Sequence, residues 1–313
     1  MKNHSEDYLL LGLDVGGTKC AAIVGTPGGV ILDRVQWPTD PNRGPDAIIE
    51  ELIDHGRTLQ LKYRHINAVG VAIGGPLDTR TGVIYEPPNL PGWDGVRLQE
   101  RLAQALGLPV QVEHDAAACA LAEYRWGAGR SATRLVYLTC GTGFGAGIVI
   151  NGKIYRGANG RPSDFGHIRY RSDGPEAYGK PGSLEGYCAA SALGRLAAWR
   201  FADRWGPPSS PDSVQVAQWA ARGDPDAVEV VRINAQAVGD ACAMLGDLLY
   251  PDIIILGSLA NYLGDSWLKL VVEQFEKEAY TDVAKICRVV PSKLGDKLQD
   301  SSALVAATSA KAK

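Results

Sequence analysis

The sequence predicts an α/β protein made of two halves of similar architecture. Three observations carry that expectation. A strand, a glycine turn and a second strand occur at residues 9–15, 16–19 and 20–24. The same order returns at 135–139, 140–145 and 146–150. The last third of the chain is largely helical in pattern, broken by one apolar strand at 252–256. A single recurrence, each copy opening a β-meander, argues for two related halves and against a solenoid of repeats.

The elements follow in order. Leu9-Leu10-Leu11-Gly12-Leu13-Asp14-Val15 reads as a buried strand and Cys20 to Val24 as its partner across the turn Gly16-Gly17-Thr18-Lys19. Pro27-Gly28-Gly29 turns into a third strand at 30–32. Ile48, Ile49, Leu52, Ile53 and Leu59 recur at helical spacing and predict a helix over 46–61, followed by a strand at 68–73. Val110 to His114 reads as a strand running into a helix over 116–126. In the second half, Asn151-Gly152 is a hairpin signal leading to a short strand at 153–155. Residues 207–211 are a Pro/Ser-rich loop, and a final helix is expected over 301–313.

Composition excludes several classes. At 313 residues, 45% apolar and 21% charged, the chain suits one large or two medium globular domains. A formal net charge of -3, with no lysine or arginine run, argues against binding nucleic acid or a membrane surface. The polar start and the short apolar run at 8–13 do not form a signal peptide, and no segment is long enough to span a bilayer. Six scattered cysteines without a CxxC pair read as buried free thiols of a cytoplasmic protein.

Both glycine turns suit phosphate. Backbone N–H groups converging in a tight turn bind anions, and glycine permits the close approach. Gly16-Gly17-Thr18-Lys19 and Gly141-Thr142-Gly143 each add a threonine hydroxyl. Asp14 adds a carboxylate suited to Mg²⁺, directly or through water. Either turn alone is also readable as a plain hairpin. There is no GxxxxGK[ST] motif, and the Gly141 turn lacks GxGxxG spacing and is followed by a strand, which argues against Walker and Rossmann nucleotide sites.

At this point the residues carry a resemblance. Asp14-Val15-Gly16-Gly17-Thr18-Lys19 resembles the first phosphate motif of the ROK family within the actin/hexokinase superfamily. The match continues in order through Gly75-Pro76-Leu77-Asp78, Pro88-Asn89-Leu90-Pro91-Gly92-Trp93, Asp115-Ala116, Gly141-Thr142-Gly143, Tyr155-Arg156-Gly157-Ala158-Asn159-Gly160, Gly166-His167 and Leu184-Glu185. The resemblance implies two ribonuclease-H-like (actin-like ATPase) domains, at 1–118 and 119–300, with residues 301–313 returning to the smaller one and ligands in the cleft between them. It implies a glucokinase-like, ATP- and Mg²⁺-dependent sugar kinase that acts on a hexose or N-acyl-hexosamine, assembled as a homodimer.

By the same resemblance Asp115 is the base that takes the sugar hydroxyl proton, although from the residues alone it reads first as a helix N-cap. Gly75, Asn89, His114, Asp164, His167 and Glu185 fall on sugar-binding positions. Taken singly, Asn89 reads as a turn residue, Glu185 as a solvated helix start and His167 as an ordinary hydrogen-bonded histidine. Gly257, one glycine of a pair usual in the family, falls on the adenosine side. Repressors of the family carry a helix-turn-helix ahead of the first motif, and the 13 residues before Asp14 are too few for one.

The chain also departs from the family. Relatives hold a structural zinc with the histidine at His167 and three cysteines, but here the stretch 173–185 contains none, so no zinc is expected. Pro181 and hydrogen bonds are expected to hold that loop instead. His114 replaces the usual asparagine before the base, and Asp164 replaces a glutamate. Those two changes imply shifted sugar selectivity, a different donor such as polyphosphate, or a catalytically weak sugar-binding protein.

Overall fold

The structure, a computed structural model, describes residues 8–310. The chain divides into two compact units. The first comprises the chain up to Arg130, with Gly152–Pro162 and the segment from Asp296 onward, and the second comprises Ser131–Asn151 and Ser163–Gly295.

In the first unit β1 (Leu9–Val15), β2 (Lys19–Gly25) and β3 (Ile31–Pro38) form an antiparallel meander. Helix α1 (Gly44–Lys62) carries the chain back to β4 (Ile66–Ile73), parallel to β1. A small sheet of β5 (Leu77–Asp78), β6 (Val83–Ile84) and β7 (Val96–Arg97) precedes α2 (Leu98–Leu106). Then β8 (Val110–His114) pairs parallel with β4 and runs directly into α3 (Asp115–Trp126). The sheet order is β3-β2-β1-β4-β8. Strand β3 is longer than its apolar start suggested, because its burial alternates along its whole length, as in a strand with one solvated face.

In the second unit β9 (Arg134–Leu138) and β10 (Ala146–Ile150) are antiparallel. The Asn151-Gly152 turn, with both φ positive, follows β10, and β11 (Lys153–Ile154) lies in the Gly152–Pro162 segment of the first unit. The hairpin β12 (Glu176–Ala177) and β13 (Lys180–Pro181) precedes α4 (Leu184–Cys188), α5 (Ala192–Arg200), α6 (Ala202–Trp205), α7 (Ser213–Ala221) and α8 (Pro225–Leu249). Then come β14 (Ile253–Leu256), α9 (Ser258–Glu278), α10 (Thr281–Ile286) and β15 (Arg288–Pro291). Strand β14 lies between β9 and β15, parallel to both. The order β10-β9-β14-β15 therefore repeats the pattern of the first sheet: an antiparallel pair followed by two parallel strands. Strand β15 has only two core-type residues, Val289 and Val290, too few for a periodicity to reveal it.

Helix α11 (Leu298–Ala307) packs on β1, β4 and α3 of the first unit. A Cβ on Gly70 of β4 would lie 2.2 Å from the Ala303 carbonyl oxygen and 2.2 Å from the Ala307 nitrogen. Glycine there lets helix backbone rest on sheet backbone. Residues 311–313 of the expected final helix lie outside the described residues. Each unit has its own core. Leu11, Leu13, Val69, Val71 and Trp93 are central to the first, and Phe144, Trp267 and Phe275 to the second. All six cysteines are buried and free.

Candidate active site

In the first unit the candidate residues gather at the C-terminal ends of three neighbouring parallel strands. Register pairs Asp14 of β1 with Ala72 of β4, and Ile73 of β4 with His114 of β8. Asp14, the Gly74-Gly75 segment and His114-Asp115 therefore lie side by side along one sheet edge, where loops of open α/β sheets bind ligands.

Asp115 is the first residue of α3, and the cap position is His114, which makes no capping bond through its side chain. The Ala116 N–H donates to Asp115 Oδ1 at 2.6 Å. The capping reading of Asp115 is thus not realised, and its carboxylate stays 41% exposed. The neighbouring His114 ring is largely buried. Its Nε2 lies 3.4 Å from Asp115 Oδ1, and its buried Nδ1 has no hydrogen-bond partner among the described residues.

Asp14 is half-buried at the end of β1. Burial, with the Asp115 and Asp300 carboxylates adding to it, raises its pKa from 3.8 to about 7, against the pull of Lys19 and Arg34. Asp300, on α11, accepts from Arg34 Nε at 2.8 Å, and burial raises its pKa too. The turn after β1 is closed by the Gly16 N–H donating to the Lys19 carbonyl at 3.1 Å, with Thr18 and Lys19 exposed. Gly17 abuts Asn89, an exposed residue of the β6–β7 loop.

Two partnerships in this unit escaped sequence reading. Asp300 comes to Asp14 from the far end of the chain, and its only local signal is a carboxylate inside the small-residue run of α11. Glu113, 2% exposed, pairs with Arg156 of the Gly152–Pro162 segment. Its signal is a charge at an inward position of β8.

In the second unit Gly141, Thr142 and Gly143 again form a turn after a parallel strand, β9. Its inner bonds run from Gly141 N–H to the Gly143 carbonyl at 3.0 Å and from Gly145 N–H to Thr139 Oγ1 at 2.9 Å. Glu185, on α4, accepts the Phe144 N–H at 3.0 Å. Thr142 and Gly143 are the turn positions whose N–H groups take no part in these bonds. Burial raises the Glu185 pKa above its usual value, opposed by the Phe144 N–H, Arg195 and His167. Asp164 and His167 are exposed at the two ends of the short turn before α4, joined by His167 N–H to the Asp164 carbonyl at 3.0 Å. Gly257 caps α9 at the end of β14, adjacent to β9, and donates to the Leu138 carbonyl at 2.8 Å.

The loop that lacks cysteines closes on hydrogen bonds. The Lys180 ammonium donates to the His167 carbonyl at 2.5 Å, Arg169 to the Pro181 carbonyl at 2.8 Å, and Gly182 N–H to the Pro175 carbonyl at 3.1 Å. Among the described residues no helix is long and apolar enough to cross a membrane.

Known proteins share this fold. The pattern of the ROK family matches residues 10–312. A glucokinase of Halalkalibacterium halodurans is 33% identical over 296 residues, covering 89% of this chain and 88% of that one. A glucokinase of Streptomyces coelicolor is 32% identical, covering 86% and 87%. Among solved structures, a ROK hexokinase from Thermus thermophilus superposes with a TM-score of 0.83 at 31% identity, over 96% of this chain and 98% of that one. A ROK family glucokinase from Streptomyces griseus, in complex with glucose and AMPPNP, superposes with a TM-score of 0.80 at 30% identity, over 96% and 99%.

Proposed function

The chain belongs to the ROK family, and on that footing we propose that it is a cytoplasmic, homodimeric kinase transferring the γ-phosphoryl group of ATP to a hydroxyl of a hexose or N-acyl-hexosamine. The observation that carries this reading is the Asp115 carboxylate, anchored through one oxygen and open to solvent at the end of β8. Phosphoryl transfer needs little covalent help from a protein. It needs a positioned alcohol, a place for the phosphates and a carboxylate to accept a proton.

Asp115 takes the proton of the sugar hydroxyl as its oxygen bonds to the γ-phosphorus, and the bond to the ADP oxygen breaks. Gly75, Asn89, Asp164, His167 and Glu185 hold the sugar, and His114 stands beside the base. Gly16, Gly17, Thr18 and Lys19, with Gly141, Thr142 and Gly143, receive the phosphates, and Gly257 lies on the adenosine side. The residues fit magnesium: Asp14 has Asp115 and Asp300 as carboxylate neighbours, and a divalent cation relieves that crowding. Asp14 would hold it, directly or through water. Bound there, the ion would supply positive charge to offset that of the phosphates.

A panel of hexoses, hexosamines and N-acetyl sugars, with ATP and polyphosphate as donors side by side, tests the reading. ATP-dependent turnover of at least one sugar is expected. Sugar binding without turnover on either donor would leave a binding protein in its place.

A further inference from the structure

His114 occupies a position expected to touch sugar, yet its side chain is only 12% exposed. One edge of its ring abuts the Gly75 backbone, where a Cβ would lie 3.0 Å from His114 Cδ2. One ring nitrogen, Nδ1, is buried with no partner among the described residues. The other, Nε2, lies 3.4 Å from Asp115 Oδ1. Neutral imidazole carries one N–H and one acceptor nitrogen. A proton on Nδ1 would be a buried donor with nothing to accept it, whereas a proton on Nε2 faces a carboxylate.

The backbone of His114 is itself held from behind. Its N–H donates to Glu113 Oε1 at 3.1 Å, and the other oxygen of that buried carboxylate is paired with Arg156. Oδ1 of Asp115 thus accepts the Ala116 N–H at 2.6 Å and also has the imidazole Nε2 within 3.4 Å, whereas no such contact falls on Oδ2. Oδ2 lies on the Gly74 side, 4.0 Å from where a Cβ on that residue would be.

We propose that His114 is a positioning residue that pins Asp115 Oδ1, so that Oδ2 is the oxygen that takes the proton of the sugar hydroxyl. The proposal rests on Asp115 being the base. The proton moves from the hydroxyl to Oδ2 while the sugar oxygen bonds to the γ-phosphorus and ADP departs with the electron pair of the broken P–O bond. The imidazole gains and loses nothing and only fixes the carboxylate plane. Misplacing a reacting group by about an ångström lowers rate by roughly a hundredfold.

The test uses the different reach of two amides. The amide nitrogen of glutamine falls near the place of Nε2, and that of asparagine near Nδ1. His114→Gln is expected to keep kcat within about threefold of wild type, whereas His114→Asn and His114→Leu lower it roughly tenfold to a hundredfold with sugar KM little changed. All variants are compared at equal folded fraction by thermal melting. A rise in sugar KM with kcat preserved, or a changed order of preference among sugars, would make His114 a sugar ligand and overturn the proposal, as would His114→Asn outperforming His114→Gln. Asp115→Asn, measured in parallel, separates the two readings. If that variant turns over normally, both fall, and if it is inactive while every His114 variant is normal, only the positioning role falls.

Discussion

A Cβ on Gly17 would lie 2.6 Å from the Asn89 carbonyl oxygen and 2.7 Å from Asn89 Cβ. The first glycine turn and the loop between the two prolines at 88 and 91 are therefore packed closely against each other. Gly17→Ala cannot be relieved by a flexible side chain, because the nearest atom is backbone. The variant is expected to raise KM for both ATP and sugar, by roughly tenfold each, through displacement of both loops. Steady-state kinetics with each substrate varied in turn checks it. A rise confined to ATP would mean that the Asn89 loop is uncoupled from the turn.

Asp115→Asn keeps the size of the side chain and an oxygen to accept the Ala116 N–H, but removes the basic carboxylate. It is expected to lower kcat by roughly 10²–10⁴ while leaving ATP binding nearly intact. Turnover close to wild type would take the proton-accepting role away from Asp115.

How far the site was legible depended on how local its signals are. Strands β1, β9, β10 and β14 are short apolar runs that end at or near a glycine turn, and the pattern alone places them within a residue or two. The position of Asp115 was legible because a strand and a helix meet there with no loop between them. The neighbours of Asp14 were not. Asp300 reaches it through the docking of α11 on the sheet, where Arg34 of β3 bonds it, and no periodicity encodes which helix covers which strand. The Glu113–Arg156 pair was hidden for the same reason. The two-residue strands β5, β6 and β7 are too short for a period of two to be read.

Asp14 gives a pH dependence with a definite sign. Its pKa is raised on folding from 3.8 to about 7, chiefly by burial, with Asp115 and Asp300 adding to it. Between those values the folded state holds a proton that the unfolded state has lost, so stability falls as pH rises through the window. Asp14→Asn removes the ionisation. In the absence of nucleotide it is expected to be more stable than wild type at pH 8, by about 2–4 kcal/mol, with the difference shrinking below pH 4. Thermal melts at both pH values decide it. An Asp14→Asn protein that melts lower at pH 8 would show that the carboxylate is not under strain.

The loop 173–185 supplies no thiolate, and one exposed histidine does not complete a tetrahedral site. Purified protein is expected to contain no stoichiometric zinc, and a chelator should leave its melting temperature unchanged without nucleotide. One tightly held zinc per chain would overturn this.

Sugar selectivity is expected to respond to Asp164. That residue caps the short turn Phe165–His167 without a capping bond from its side chain, so the carboxylate is available to a ligand. It is one methylene shorter than the glutamate expected there, which leaves room for a substituent or a water beside the sugar. A site built around one hydroxyl pattern discriminates against another, because its polar groups are then left unpaired. Glucose is therefore expected to be a poor substrate relative to another hexose or an N-acylated sugar. Because Asp164 is exposed, Asp164→Glu adds its methylene without disturbing the core. It is expected to raise kcat/KM for glucose relative to the preferred sugar by roughly tenfold. Competition between paired sugars, followed by product analysis, reads the ratio directly. If wild type already prefers glucose, or the ratio does not move in the variant, Asp164 does not set the selectivity.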